Sequence, residues 1–320
     1  MIIIKKNKEN NIKIIIISIA TSSLFSCISS YATSRHLYDS KEVRYDNTST
    51  NVLTSATDIQ TAIDDLYSCA STYELTVGNS AFHNSIFRGK DVTEYLTSEY
   101  SLYDRISDGT FTDLYVGDYV VANGITWRIA GFDLYYGKGQ AKEQGDDSTN
   151  QAGNRHHAVI VPDTNLTRAQ MNTTSTTKGG YVGSAMYTTT LPTVLSTYIT
   201  PVFGDHVLTY FAILTIRINS TTGKADDADY IYSRKVDLMN EVQLFGTTSY
   251  SSSEYETGID NIQFPLFRLK PEYINKFGGW YSLRNVIRSC CFAEVMSHGG
   301  IMSSNSASNK TGVRPYFYIG

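Results

Sequence analysis

Two β-rich runs stand on either side of Asn123-Gly124. The first is Leu114-Tyr115-Val116-Gly117-Asp118-Tyr119-Val120-Val121-Ala122 and the second is Ile125-Thr126-Trp127-Arg128-Ile129-Ala130-Gly131-Phe132. Asn-Gly accepts positive φ at both central positions of a type I′ turn, so the two runs must fold back on each other as an antiparallel hairpin. Trp127 is the residue that would anchor this hairpin in a core. Ala158-Val159-Ile160-Val161 reads as a buried strand, and His206 to Ile218 as another that Asn219-Ser220 ends. Lys224 to Asp229 reads as a turn leading into Tyr230-Ile231-Tyr232. Helical signals are fewer. Val92, Tyr95, Leu96 and Tyr100 suggest a polar helix after a loop at Asn84. Leu191, Val194, Leu195, Tyr198, Ile199 and Val202 recur at helical spacing, with Pro192 in the first turn and Gly204 past the end. Hairpins with one or two helices define an α+β chain.

The stretch Trp280 to Gly320 interleaves two kinds of sequence. Bulky residues (Trp280, Leu283, Phe292, Val295, Val313, Phe317 and Ile319) frame small polar segments that cannot build a core. Phe292 to His298 reads as a strand with imperfect alternation, since Phe292 and Glu294 share a face. Gly299-Gly300 marks a turn. Val313 to Ile319 reads as a closing strand, which Pro315 places at an edge or a bulge.

The chain has 320 residues, enough for one large or two ordinary domains, and a net charge of −4. That charge leaves no basic footprint for nucleic acid. The 24 tyrosines suit either a β-rich core with hydroxyls at its rim or a recognition surface. The four cysteines are Cys27, Cys69, Cys290 and Cys291, with no C-x-x-C pair. On a strand, Cys290 and Cys291 would point to opposite faces, one thiol buried and one exposed. Cys69 could pair between chains. No G-x-S-x-G, H-E-x-x-H or phosphate-binding glycine loop occurs, so the sequence predicts no enzyme, no cofactor and no metal. His156-His157 reads as a surface or edge pair, Asp226, Asp227 and Asp229 as a solvated turn, and Pro162-Asp163 as turn chemistry.

Residues 1–32 read as a signal peptide or membrane anchor. Lys5, Lys6, Lys8 and Lys13 precede a short isoleucine run, and Ser30-Tyr31-Ala32 offers a cleavage site before Thr33. Leu24-Phe25-Ser26-Cys27 offers a lipoprotein box instead. Residues 33–75 form a separate unit, with a short helix bearing Ile59, Ala62, Ile63 and Leu66 on one face. That stripe needs a partner, either in a stalk or in its own domain.

The order W-x-x-L-R, F-A-x-V, G-V-R-P-x-F-x-I in the C-terminal stretch resembles the end of a domain family of unknown function. That family is found in surface proteins of gut Firmicutes and in tail proteins of their phages. Asn84 to Lys90, Thr112 to Tyr119, Trp127 to Ala130, Val159 to Asp163 and Leu238 to Glu241 fall in the same order, so the resemblance covers residues 76–320. The family looks related to the C-type-lectin-like fold. The segment from Tyr45 to Tyr67 resembles a repeat of surface proteins and tail fibres, which implies a stalk and a homotrimer. The resemblance implies a secreted or cell-surface, adhesin-like protein, of a group with diversified members, that binds a protein or glycan on another surface. The alternative is a phage tail or virion receptor-binding protein. In the related formylglycine-generating enzymes, two spaced cysteines reach one metal, and adjacent Cys290 and Cys291 do not match that chemistry. By analogy with the lectin-like group, the ligand contacts would be Asn285, Arg288, Ser289, Cys290, Cys291, Glu294, Met296, His298, Ser303 and Asn305. Trp280 would be a buried anchor whose loss costs about 3–5 kcal/mol. Glu294 and His298 would be removable without loss of stability.

Overall fold

The computed structural model describes residues 79–137, 151–251, 262–302 and 305–320, together with 13–15 and 29–31. The expected stalk helix, Cys27, Cys69, Ser303 and residues 138–150 lie outside the described residues. The chain divides into two compact units, Met1–Ser85 and Ile86–Gly320. In the first, β1 (Lys13–Ile15) pairs antiparallel with β2 (Ser29–Tyr31), and Asn79–His83 is helical. No helix among the described residues is long and apolar enough to cross a membrane.

The second unit is α+β. The Asn-Gly hairpin forms as the sequence predicts: β3 (Tyr119–Ala122) pairs with β4 (Ile125–Phe132), and Asn123 and Gly124 have φ of 51° and 74°. Next come β5 (Ala158–Pro162), β6 (Thr167–Ala169), and a hairpin of β7 (Tyr210–Ile218) with β8 (Ala225–Arg234). The remaining strands are β9 (Asp237–Leu238), β10 (Tyr281–Arg288), β11 (Cys291–Val295), β12 (Ile301–Met302), β13 (Thr311–Val313) and β14 (Pro315–Ile319). One sheet runs β3-β4-β5-β14-β9 and the other β12-β11-β10-β13-β6. All neighbours are antiparallel except β10 and β13. The chain passes directly between these two sheets three times, from β5 to β6, from β9 to β10 and from β13 to β14, and returns from β6 to β9 by way of the β7–β8 hairpin.

Three expectations are corrected here. The closing strand is not at an edge. β14 lies between β5 and β9, fully buried, and Pro315 is tolerated because it is the strand's first residue. Asp226, Asp227 and Asp229 are on strand β8 rather than in a turn. The reversal comes earlier, where Asn219 Oδ1 accepts from the backbone N–H groups of Thr221 and Thr222, both at 2.9 Å, and Gly223 takes φ 69°. The helix expected from Leu191 begins at Met186, so Pro192 is not in its first turn. Two π turns, Met186–Thr190 and Leu195–Ile199, each precede a short α segment (Leu191–Val194 and Thr200–Phe203) with proline near its start. The wider turn is the helix's accommodation of the N–H that proline lacks.

The core joins both sheets to this helix. Trp127 of β4, Phe203 at the helix end and Phe317 of β14 meet edge to face, with centroids 5.1–5.6 Å apart.

Candidate functional site

Nine of the ten expected contact residues are described, and they fall among the tip of the β10–β11 hairpin, an inner face and an open end. The structure does not gather them into one surface.

At the tip, Arg288 of β10 faces Cys291 of β11 across a two-residue turn, Ser289-Cys290. Arg288 and Ser289 are exposed and Cys290 partly so, whereas Cys291 is buried. Cys290 and Cys291 are joined by a disulfide. This corrects the expectation of two separate thiols: Cys290 belongs to the turn, so strand alternation does not part the pair. Three other segments hold the tip. Thr177 donates its N–H to Ser289 O and its hydroxyl to Arg288 O. Ala307 N donates to Cys290 O at 2.8 Å. Gly223 lies so close that a Cβ there would overlap Ser289 N.

The inner positions are structural. Asn285 is buried; its Oδ1 accepts from Glu241 N at 2.7 Å and its Nδ2 donates to Ser251 Oγ. It thereby serves the start of the Glu241–Phe245 helix, alongside the capping box of Asn240 and Gln243. Glu294, expected on the surface, is 3% exposed. It pairs across the sheet with Ser282 and accepts from Asn305 Nδ2 at 2.7 Å. The Thr311 hydroxyl also bonds to it, and Ser282 Oγ is 2.5 Å from Thr311 Oγ1. Asn305 is thus partly spent on Glu294. Burial pushes the Glu294 carboxyl up, against the hydrogen bonds of Asn305 and Thr311. An unfolded chain releases this proton near the ordinary carboxylate value and the folded protein releases it later. The associated stability is therefore complete at low pH and lost as pH rises through the raised folded value. Glu294→Gln should flatten this dependence. Thermal melts from about pH 4 to about pH 7 should show the variant gaining on the wild type as pH rises; a wild type that gains on the variant over that range would contradict it.

The open end lies where β10 begins and β11 stops. Tyr281 pairs with Val295, so Trp280 and Met296 flank the end of the sheet. Asn275 Nδ2 donates both to Gly279 O and to Met296 O, tying the two sides together. Met296 is half-buried, Ser297 and His298 are exposed, and Gly299 makes the expected turn with φ 85°. Trp280 and Phe277 are 37% and 47% exposed. Trp280 is therefore not the buried anchor the sequence suggested. Its backbone carbonyl accepts from Gly312 N and from Asn165 Nδ2, while its indole stays at the surface. Tyr281, the next residue, points inward instead and donates its OH to Ile274 O at 2.7 Å. Phe277 was missed altogether, because an isolated aromatic between glycines and charges gives no periodic signal.

The motifs that carry the family resemblance prove to be interior clamps. Arg88 holds Asp118, which is buried. Arg128 binds Asp163 through two parallel bonds of 2.7 and 2.5 Å, and its guanidinium lies over the rings of Tyr119 and Tyr273. Asp163 is thus an ion-pair partner rather than simple turn chemistry. Arg284 is 3.6 Å from Asp237, which also accepts from the Tyr181 hydroxyl. Arg314 reaches backbone carbonyls of three residues. His156 Nδ1 is 2.6 Å from Asp133 Oδ2 and the backbone N–H of His157 donates to Asp133 Oδ1, while the His157 ring is fully buried, which corrects the surface or edge reading for that residue. Burial lowers the His157 pKa, which favours the neutral ring. Among the described residues no group of three His, Cys, Asp or Glu side chains is placed to hold a metal.

Comparison with protein-family models, curated proteins and solved structures finds no match.

Proposed function

We propose that this is a secreted or surface-displayed binding protein of the C-type-lectin-like kind, and that its ligand face is the open end of the β10–β11 hairpin. The observation that carries this reading is the exposure of Trp280 and Phe277 beside Met296, Ser297 and His298, at the end of strands β10 and β11, which are buried from Tyr281 to Ile287 and from Cys291 to Val295. Large aromatic side chains held at the surface by a rigid backbone lose little entropy on binding. The return of the last strand into the interior of a sheet is in keeping with the lectin-like resemblance. The ligand is a protein or glycan of another surface, and binding rather than catalysis is the activity.

The test is saturable binding of the labelled full chain to intact bacterial and epithelial cells, followed by flow cytometry. Trp280→Ala should reduce binding at least about tenfold, an effect of about 1.4 kcal/mol. Its melting temperature should stay close to wild type, because surface substitutions change stability by only about 0.5 kcal/mol. Equal binding by variant and wild type would remove the aromatic end as the ligand face.

A further inference from the structure

The hairpin tip, at the opposite end of β11 from the aromatic pair, carries chemistry that ligand display does not require. Cys290 and Cys291 are linked, Cys290 is partly exposed and Cys291 is buried. The turn's carbonyls are held by Thr177 and Ala307, neither of which depends on the sulfur–sulfur bond. Opening that bond would therefore leave both sulfurs in place on a fixed backbone. Arg288, exposed and paired with Cys291 across the hairpin, sets a positive charge where a thiolate would approach.

We propose that the Cys290–Cys291 pair is a thiol-exchange site for cysteine-containing peptides. An incoming peptide thiolate attacks Sγ of Cys290, the partly exposed residue of the pair. A new bond forms between the peptide sulfur and Cys290 as the Cys290–Cys291 bond breaks. The electron pair leaves on Cys291 Sγ, which takes a proton from water. The peptide sulfur is oxidised, Cys291 is reduced, and no further oxidant or reductant is needed. The product is a protein covalently joined to the peptide through Cys290, with a free thiol at Cys291. The regioselectivity follows from access: a buried sulfur can leave but cannot be attacked first.

Glutathione is the probe. The native full chain is treated with a small excess, quenched with acid, alkylated under denaturing conditions and digested with trypsin. The fragment from Ser289 to Lys310 reports on this pair alone, whatever Cys27 and Cys69 do. Without glutathione the fragment should resist alkylation. With it, the fragment should carry one glutathione on Cys290 and one alkyl group on Cys291. Cys291→Ser, which leaves no disulfide to exchange, should lose the adduct completely. Alkylation of both cysteines without glutathione, an adduct on Cys291, or no adduct at all on the native wild-type chain would each overturn the proposal. The variant is a control only, so its failure to fold would leave these wild-type results decisive.

Discussion

Trp127→Ala is expected to cost about 3–5 kcal/mol of stability. Trp127 is fully buried and joins three elements, because its ring meets Phe203 of the long helix and Phe317 of the last strand. Removing it opens a cavity at the point where the β3-β4-β5-β14-β9 sheet is attached to the helix. Neither Phe203 nor Phe317 can collapse into the gap without leaving the other. Trp127→Phe should be far milder. The indole N–H finds no acceptor among the described residues, so removing it relieves a desolvation penalty of about 1–3 kcal/mol while most of the ring volume is kept. Denaturant melts of the two variants should therefore separate clearly. Equal losses would show that the indole nitrogen, not the ring, is what the site needs.

Arg314→Ala should be comparably damaging, at about 3–5 kcal/mol. Arg314 is 2% exposed and sits between β13 and β14, where the chain crosses from one sheet to the other. Its Nε donates to Pro162 O at 2.8 Å, and its Nη atoms donate to Tyr273 O and Ile274 O. Pro162 ends β5, where the chain leaves for β6, so one guanidinium joins two of the passages between the sheets to the helical turn Pro271–Ile274. Its loss leaves three buried carbonyls without this donor. Arg314→Lys should recover little, because one ammonium cannot span a fork that reaches Pro162 on one side and Ile274 on the other. A lysine variant as stable as the wild type would show that charge alone suffices.

These two positions show which features the sequence exposed. The Asn-Gly hairpin, the buried β5 run and Trp127 were legible because their signals are local: turn chemistry and short-range periodicity. The G-V-R-P run was legible as a signature, but its meaning was not. Gly312 leaves room for Asn165 and for the Trp280 carbonyl, Arg314 clamps three segments, and Pro315 starts an interior strand. A resemblance built on such residues reports the frame and is silent about a ligand. The candidate face was hidden for the converse reason. Whether Glu294 or Trp280 faces water depends on what packs over it. That is decided by Asn305 and Thr311 in one case, and by a backbone that turns Tyr281 inward in the other. The pairing of Cys290 with Cys291 was likewise invisible, since it depends on where the strand starts.

Hydrogen exchange of the full chain, read by mass spectrometry, reaches the central claim most directly. If the tail is an interior frame open at one end, the amides of Tyr316 to Ile319 should exchange only with global unfolding. Those of Phe277 to Trp280 and Ser297 to Gly300 should exchange at least about a hundredfold faster. Rapid exchange in β14, at the rate of the 297–300 turn, would contradict the account.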